Sequence, residues 1–203
     1  CSGMRKGAFY YLTKPFSKDL LLTVVEVALA DYSRYLVLKE RLQESFESLK
    51  LMTHAEFKFQ TLQQGDVLAA MLAKSCPNPE KVVLGLSELF INAIEHGNLE
   101  IDFDCKTELL ADNIWGDYIK QKLNEPPFSD RYVTVKVRQD KNGISFNIID
   151  QGNGFDWQDL DASAAQRVMQ SHGRGLLIAK NLSFDKLEFI GCGNHVAAFV
   201  KYN

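Results

Sequence analysis

Three short stretches of this chain carry residue types that can do chemistry. In "SELFINAIEHGN" (87–98), Glu88 and Asn92 stand one helical turn apart. An amide oxygen is a hard, neutral ligand suited to Mg²⁺. A carboxylate beside it can take a proton from an attacking hydroxyl. In "FNIIDQGNGF" (146–155), an apolar run ends on Asp150, with Gly152 and Gly154 just after it. A carboxylate accepts hydrogen bonds, and the exocyclic amine of adenine donates them. The glycines reach backbone angles closed to other residues and let a flat ring come up to the main chain. In "GRGLLIAKNL" (173–182), Gly173 and Gly175 open a helix, whose free N–H groups suit phosphate, and Arg174 adds a positive charge. Each stretch alone has a plainer reading. Glu88 and Asn92 fit the wet side of an amphipathic helix, Asp-x-Gly fits a turn, and Gly-x-Gly fits any loop-to-helix junction.

The elements that must position these residues follow from periodicity. Pro79 sits just inside a helix that runs to a stop at Gly97–Asn98. On it Leu84, Glu88, Asn92 and Glu95 share one face, and Val83, Leu86, Phe90, Ala93 and Ile94 the other. "EFKFQT" (56–61) alternates like a strand, and 66–75 reads as a short helix ending before Pro77. Residues 99–130 form a polar insert with one helix, "KTELLADNIWGDYIKQKL", ended by Pro126–Pro127. "RYVTVKVRQD" and "GISFNIID" around "KNG" make a β-hairpin, and "KLEFIGCGNHVAAFVKY" makes two more strands. Residues 156–172 are irregular and polar.

Upstream, a long helix beginning near Asp19, capped by Ser17, meets no Gly or Pro as far as residue 64. Leu21, Ala28, Tyr35, Leu42 and Leu49 form one seven-spaced row, and Val25, Tyr32, Lys39, Phe46 and Thr53 a second. Two such rows make an a/d seam. A parallel homodimer through residues 20–53 is expected, against the alternative of a helix packed on its own domain.

Bulk properties narrow the class. The 203 residues carry a formal net charge of −3, which gives no electrostatic case for nucleic acid or anionic membrane. No apolar run is long enough for a bilayer, and no signal peptide is visible. Cys1, Cys76, Cys105 and Cys192 form no CxxC pair, so they read as reduced thiols in a cytoplasmic protein without a zinc site. A first residue of Cys1 rather than Met fits a piece of something longer.

Taken together and in this order, the three stretches resemble the GHKL ATPase superfamily. The likeness spans roughly residues 56–203. It implies an α+β fold, a two-layer α/β sandwich whose mixed, largely antiparallel sheet carries helices on one face. ATP and Mg²⁺ would lie between the layers, under a mobile lid over residues 155–172. Within the superfamily, "SELFINAIEHGN" most resembles the signature helix of bacterial anti-sigma factor serine kinases. The resemblance implies Glu88 as catalytic base and Asn92 as magnesium ligand. It puts Asp150, Gly152, Gly154, Gly173, Arg174, Gly175, Leu176 and Asn194 at the nucleotide. Asn194 stands where a threonine usually supports the adenine, and the 99–130 insert is longer than in the small stand-alone kinases. The implied reaction moves a phosphoryl group from Mg-ATP to a serine of an anti-sigma antagonist, and a sigma factor is a further implied partner. "GAFYYLTKPF" (7–16) and the helix after it resemble the last strand and helix of a response-regulator receiver domain. Lys14 takes the phosphoryl-contacting position and Pro15 a frequent cis position. The phosphoacceptor aspartate would then lie upstream of Cys1. The expected organisation is a receiver remnant (1–18), a coiled-coil helix (19–55) and an ATP-binding kinase domain (56–203). Two alternatives are an ATP-binding anti-sigma adaptor without turnover and a sensor histidine kinase using His54. The second lacks room for a return helix between His54 and Pro79.

Overall fold

The computed structural model describes residues 12–155, 157 and 179–202. The chain divides into two compact units, residues 1–48 and 49–203. The division falls before residue 56, because His54 and Ala55 already belong to the sheet of the second unit.

The first unit is dominated by one helix, α1 (Lys18–Ser48). Ser17 caps it: its Oγ accepts from the Leu20 N–H at 3.1 Å, as expected for a serine at that position. The Lys14–Pro15 peptide is cis. Residues 1–11, including most of the expected receiver strand, lie outside the described residues. Along α1 the seam residues Leu21, Val25, Tyr32 and Tyr35 are exposed, and so are the flanking Leu22, Leu29 and Leu36. The apolar band between residues 20 and 38 is therefore wider than a two-row seam needs.

The helix stops at Ser48, earlier than its uninterrupted sequence predicts. A 3₁₀ turn (Leu49–Leu51) follows. The cause lies in the second unit. The Gln139 side chain donates to the Lys50 carbonyl at 2.8 Å, and its backbone N–H to the Thr53 carbonyl at 2.9 Å. These bonds fix the backbone that a longer helix would have claimed. Leu49 and Thr53 thus leave the seam.

The second unit is α+β. Its strands are β1 (His54–Phe59), β2 (Val133–Asp140), β3 (Gly143–Ile149), β4 (Lys186–Ile190) and β5 (His195–Lys201). They form one five-stranded sheet in the order β1-β2-β3-β5-β4. Every described pairing is antiparallel, where a mixed sheet was expected. The tight connections at Lys141–Asn142 and Gly191–Asn194 permit nothing else for β2–β3 and β4–β5. Alternation sorts the faces. Val133, Val135, Val137, Ile144, Phe146, Ile148, Ala198 and Val200 point inward and are buried. They share a core with Leu72 of α2 (Leu62–Ala73) and Leu86, Leu89 and Phe90 of α3 (Pro79–Asn92). Phe59 packs on Phe90 with ring centroids 5.0 Å apart. Lys136 and Arg138 lie on the other, wet face.

α2 begins earlier than residue 66, because Thr61 and Gln64 form a reciprocal capping box ahead of it. The insert holds two helices where one was expected: α4 (Phe103–Ala111) and α5 (Trp115–Leu123). The break is Asn113, whose φ of +57° no helix accommodates. Asn113→Ala should therefore destabilise the domain by about 1 kcal/mol, whereas Asn113→Gly should not. Urea denaturation of the three proteins, followed by circular dichroism, measures the difference.

Candidate functional site

The site forms where the end of α3 meets the loop after β3. On α3, Leu86, Leu89 and Phe90 are buried, while Glu88 and Asn92 are half-buried. Neither Glu88 nor Asn92 has a side-chain hydrogen bond to the described residues. α3 then widens into a π-helical turn, Ala93–Asn98. The Leu99 N–H reaches the Ile94 carbonyl at 2.8 Å, a five-residue spacing. The wider turn breaks the expected common face. Leu84 is 59% exposed, yet Glu95 is only 2% exposed. Glu95 turns inward and its carboxylate meets Lys106 Nζ of α4 at 2.5 Å. Burial pushes the Glu95 carboxyl up from its ordinary range. Lys106 opposes that rise, and the Glu88 charge adds to it. Glu95 is a structural partner of the insert, not a fourth member of the open face.

Gly97 sits inside the π turn. A Cβ there would run into the Asp150 carboxyl carbon, and one on Gly152 would run into the Gly97 carbonyl. The helix end and the strand-end loop touch main chain to main chain. Within the chain, the missing side chains of Gly152 and Gly154 each admit a neighbouring carbonyl. Gly152 makes room for Gly97. Gly154, at φ +77°, makes room for the Cys192 carbonyl. Their bareness serves contacts within the chain.

Asp150 is set by this contact. Its Oδ1 accepts from the Gly152 N–H at 2.9 Å, and its own N–H donates to the Asn194 carbonyl at 3.0 Å. Burial raises its pKa from the ordinary 3.8 to about 6, against the lowering pull of those backbone N–H groups and of Arg131. Asn194 lies beside it as expected, but as a brace. Its Nδ2 reaches the carbonyls of Asp150 and Gly152 at 3.5 and 3.4 Å. Its Oδ1 accepts from Cys192 Sγ at 3.3 Å.

Sequence reading missed Asn98 and Arg131. Asn98 Oδ1 accepts from the Gln151 N–H at 2.7 Å, which straps the loop to the helix end. Gly97–Asn98 reads in the sequence only as a helix stop, and no pattern announces the strap. Gly173, Arg174, Gly175 and Leu176 lie outside the described residues, as does all of 155–172 except Phe155 and Trp157. His54 lies in β1, opposite Arg138, not on a helix. Among the described residues no group of three or more His, Cys, Asp or Glu side chains could hold a metal ion, and no helix is long and apolar enough to cross a membrane.

The chemistry of the arrangement is legible. Asp150 Oδ1 is engaged, and among the described residues Oδ2 has no partner, so the carboxylate can take one more donor. The Asn92 amide oxygen is likewise open to a hard cation. No family model matches the chain, and no curated protein matches its sequence.

The sign of the Asp150 shift gives a test. A folded-state pKa above the unfolded one means the fold favours the neutral acid. That contribution is complete below about pH 4 and is lost as pH rises through about 6. Asp150→Asn should therefore stabilise the protein at pH 8 and change little at pH 4. Melting temperatures at the two pH values check this. Gly152→Ala, by forcing the loop off Gly97, should destabilise at both.

Proposed function

We propose that this chain is an ATP-binding protein serine/threonine kinase of the anti-sigma factor type, with the GHKL two-layer α/β sandwich. The observation that carries this reading is the contact of Gly97 with Asp150 and Gly152. It brings the helix bearing Glu88 and Asn92 against a half-buried carboxylate with an unfilled oxygen, as the order of motifs requires. The donor set fits the implied ligands. Asp150 Oδ2 would accept the adenine amine, with Gly152 N–H holding the other oxygen. The Asn92 amide oxygen would hold Mg²⁺, whose remaining ligands are phosphate oxygens and water, as is usual for that ion. When bound, the ion neutralises phosphate charge.

This chain's own residues would then act as follows. Glu88 accepts the proton of the substrate serine hydroxyl as its oxygen bonds to the γ-phosphorus. The bond from that phosphorus to the β–γ bridging oxygen breaks, and ADP leaves. Gly173–Leu176 would meet the phosphates through backbone N–H groups. The substrate is a serine on an anti-sigma antagonist. Control would come from a receiver domain whose final strand and helix are resembled by residues 7–16 and the helix that follows them. The apolar band of α1 would join two copies as a homodimer. The position of His54 within β1 speaks against the histidine-kinase alternative.

Mg-ATP titrated calorimetrically into the protein should bind, and Asp150→Ala should abolish the heat. Glu88→Gln should bind Mg-ATP normally but transfer phosphate to a captured antagonist about 10²–10⁴-fold more slowly. Binding with no transfer by the unaltered protein would leave an ATP-dependent adaptor instead. Val25→Glu with Tyr32→Glu should yield a monomer in light scattering, where the unaltered chain gives a dimer.

A further inference from the structure

A polar chain outside the three motifs runs from the start of β2 to the Asp150 loop. Arg131, one-fifth exposed, sends Nη1 to the Asn98 carbonyl at 2.7 Å and to Glu100 Oε1 at 2.8 Å. Glu100 holds φ +51°, so the turn after the helix end is bent around this ion pair. The same Glu100 oxygen accepts from Asn153 Nδ2 at 3.1 Å. Behind Arg131, Gln60 Nε2 donates to its carbonyl and to that of Ser129, and Phe128 stacks under the guanidinium 5.2 Å away. The guanidinium is thus fixed on one side and grips both halves of the site on the other. It holds the helix end through Asn98 and the Asp150–Gly154 loop through Glu100 and Asn153.

We infer that Arg131 is the positioning residue of the nucleotide pocket, clamping the helix end to the Asp150 loop without touching the ligand. The inference rests on the nucleotide reading of that pocket. Its charge also acts on Asp150 directly, lowering the carboxyl pKa against the rise caused by burial. Apart from Glu88, which has no side-chain hydrogen bond to the described residues, several titratable groups on the elements around Asp150 are engaged elsewhere. Glu95 pairs with Lys106, His96 Nδ1 meets the Ile101 carbonyl, Glu100 pairs with Arg131, and Cys192 donates to Asn194. An arginine that merely stabilised the fold would leave the affinity for Mg-ATP unchanged in a folded variant.

The experiment uses the whole chain and four proteins: unaltered, Arg131→Met, Arg131→Lys and Asn153→Ala. Carboxyl ¹³C NMR titration without nucleotide reads Asp150. Calorimetry with Mg-ATP and transfer rates at saturating ATP read the pocket. Arg131→Met should move the Asp150 midpoint upward by about half a pH unit. It should also weaken Mg-ATP about tenfold, with the saturated rate unchanged. Arg131→Lys should restore both. An unmoved midpoint with unaltered affinity in folded Arg131→Met overturns the inference. If that variant does not fold, Asn153→Ala decides, because it cuts only the exposed end of the clamp. A roughly threefold loss of Mg-ATP affinity supports the clamp, and unaltered affinity overturns it. If the unaltered protein itself binds no Mg-ATP, the nucleotide reading falls, while the NMR midpoint still decides the hold of Arg131 on Asp150.

Discussion

The site depends on two glycines meeting. A Cβ on Gly152, just past a strand end, would run into the Gly97 carbonyl, and one on Gly97, inside a helix end, would run into the Asp150 side chain. Main chain contacts main chain, and the Asp150 side chain is pressed between them. Burial of a carboxyl at such a place is unfavourable for its charge. The fold answers with two backbone N–H donors and the nearby guanidinium of Arg131, which offset burial in part. The remainder appears as a carboxyl pKa near 6. One oxygen is bound by the Gly152 N–H, and the other has no partner among the described residues.

The π turn is what allows the meeting. Five-residue hydrogen bonding widens the last turn of α3 and swings Glu95 inward, away from Glu88 and Asn92. A buried charge left alone there would be costly, and Lys106 of α4 meets it. Lys106 lies 5.3 Å over the Trp115 ring, so the two insert helices are drawn to the same point. The insert therefore belongs to the architecture of the helix end. Cutting it away would strand Glu95 and free the turn that carries Gly97.

Much of this was readable in advance. Period-two alternation in β1, the strand pairs around their tight turns and the Pro79 helix start predicted the elements, and Ser17 the cap of α1. These are local signals, and tertiary contacts agree with them. The failures are places where distant residues override the local pattern. Nothing near Ser48 stops a helix; Gln139, far along the chain, does. Asn113 splits the insert through one left-handed residue amid good helix formers. The even spacing of Leu84, Glu88, Asn92 and Glu95 presumes a regular α-helix, and no sequence rule signals a π turn. The glycines were found from the sequence, but their neighbours within the chain were not. Gly152 and Gly154 face Gly97 and Cys192, residues separated from them by tens of positions, so only the folded chain shows what their bareness is for. Arg131, flanked by an ordinary polar stretch, carries no motif at all.

The raised carboxyl has a consequence for how binding and folding are linked. A group whose environment favours its neutral form weakens the folded state wherever it is ionised. Near neutral pH, Asp150 therefore works against the fold. A ligand amine donating to its open oxygen would favour the ionised form and recover some of that loss. Occupancy and stability would rise together, since a ligand that binds only the folded chain shifts the equilibrium toward it. The loop that bears Asp150 is strapped by Asn98, Asn194 and the Arg131 clamp. Polar straps of this kind fix a position, so the open acceptor is kept in place at an energetic cost that a partner group can relieve.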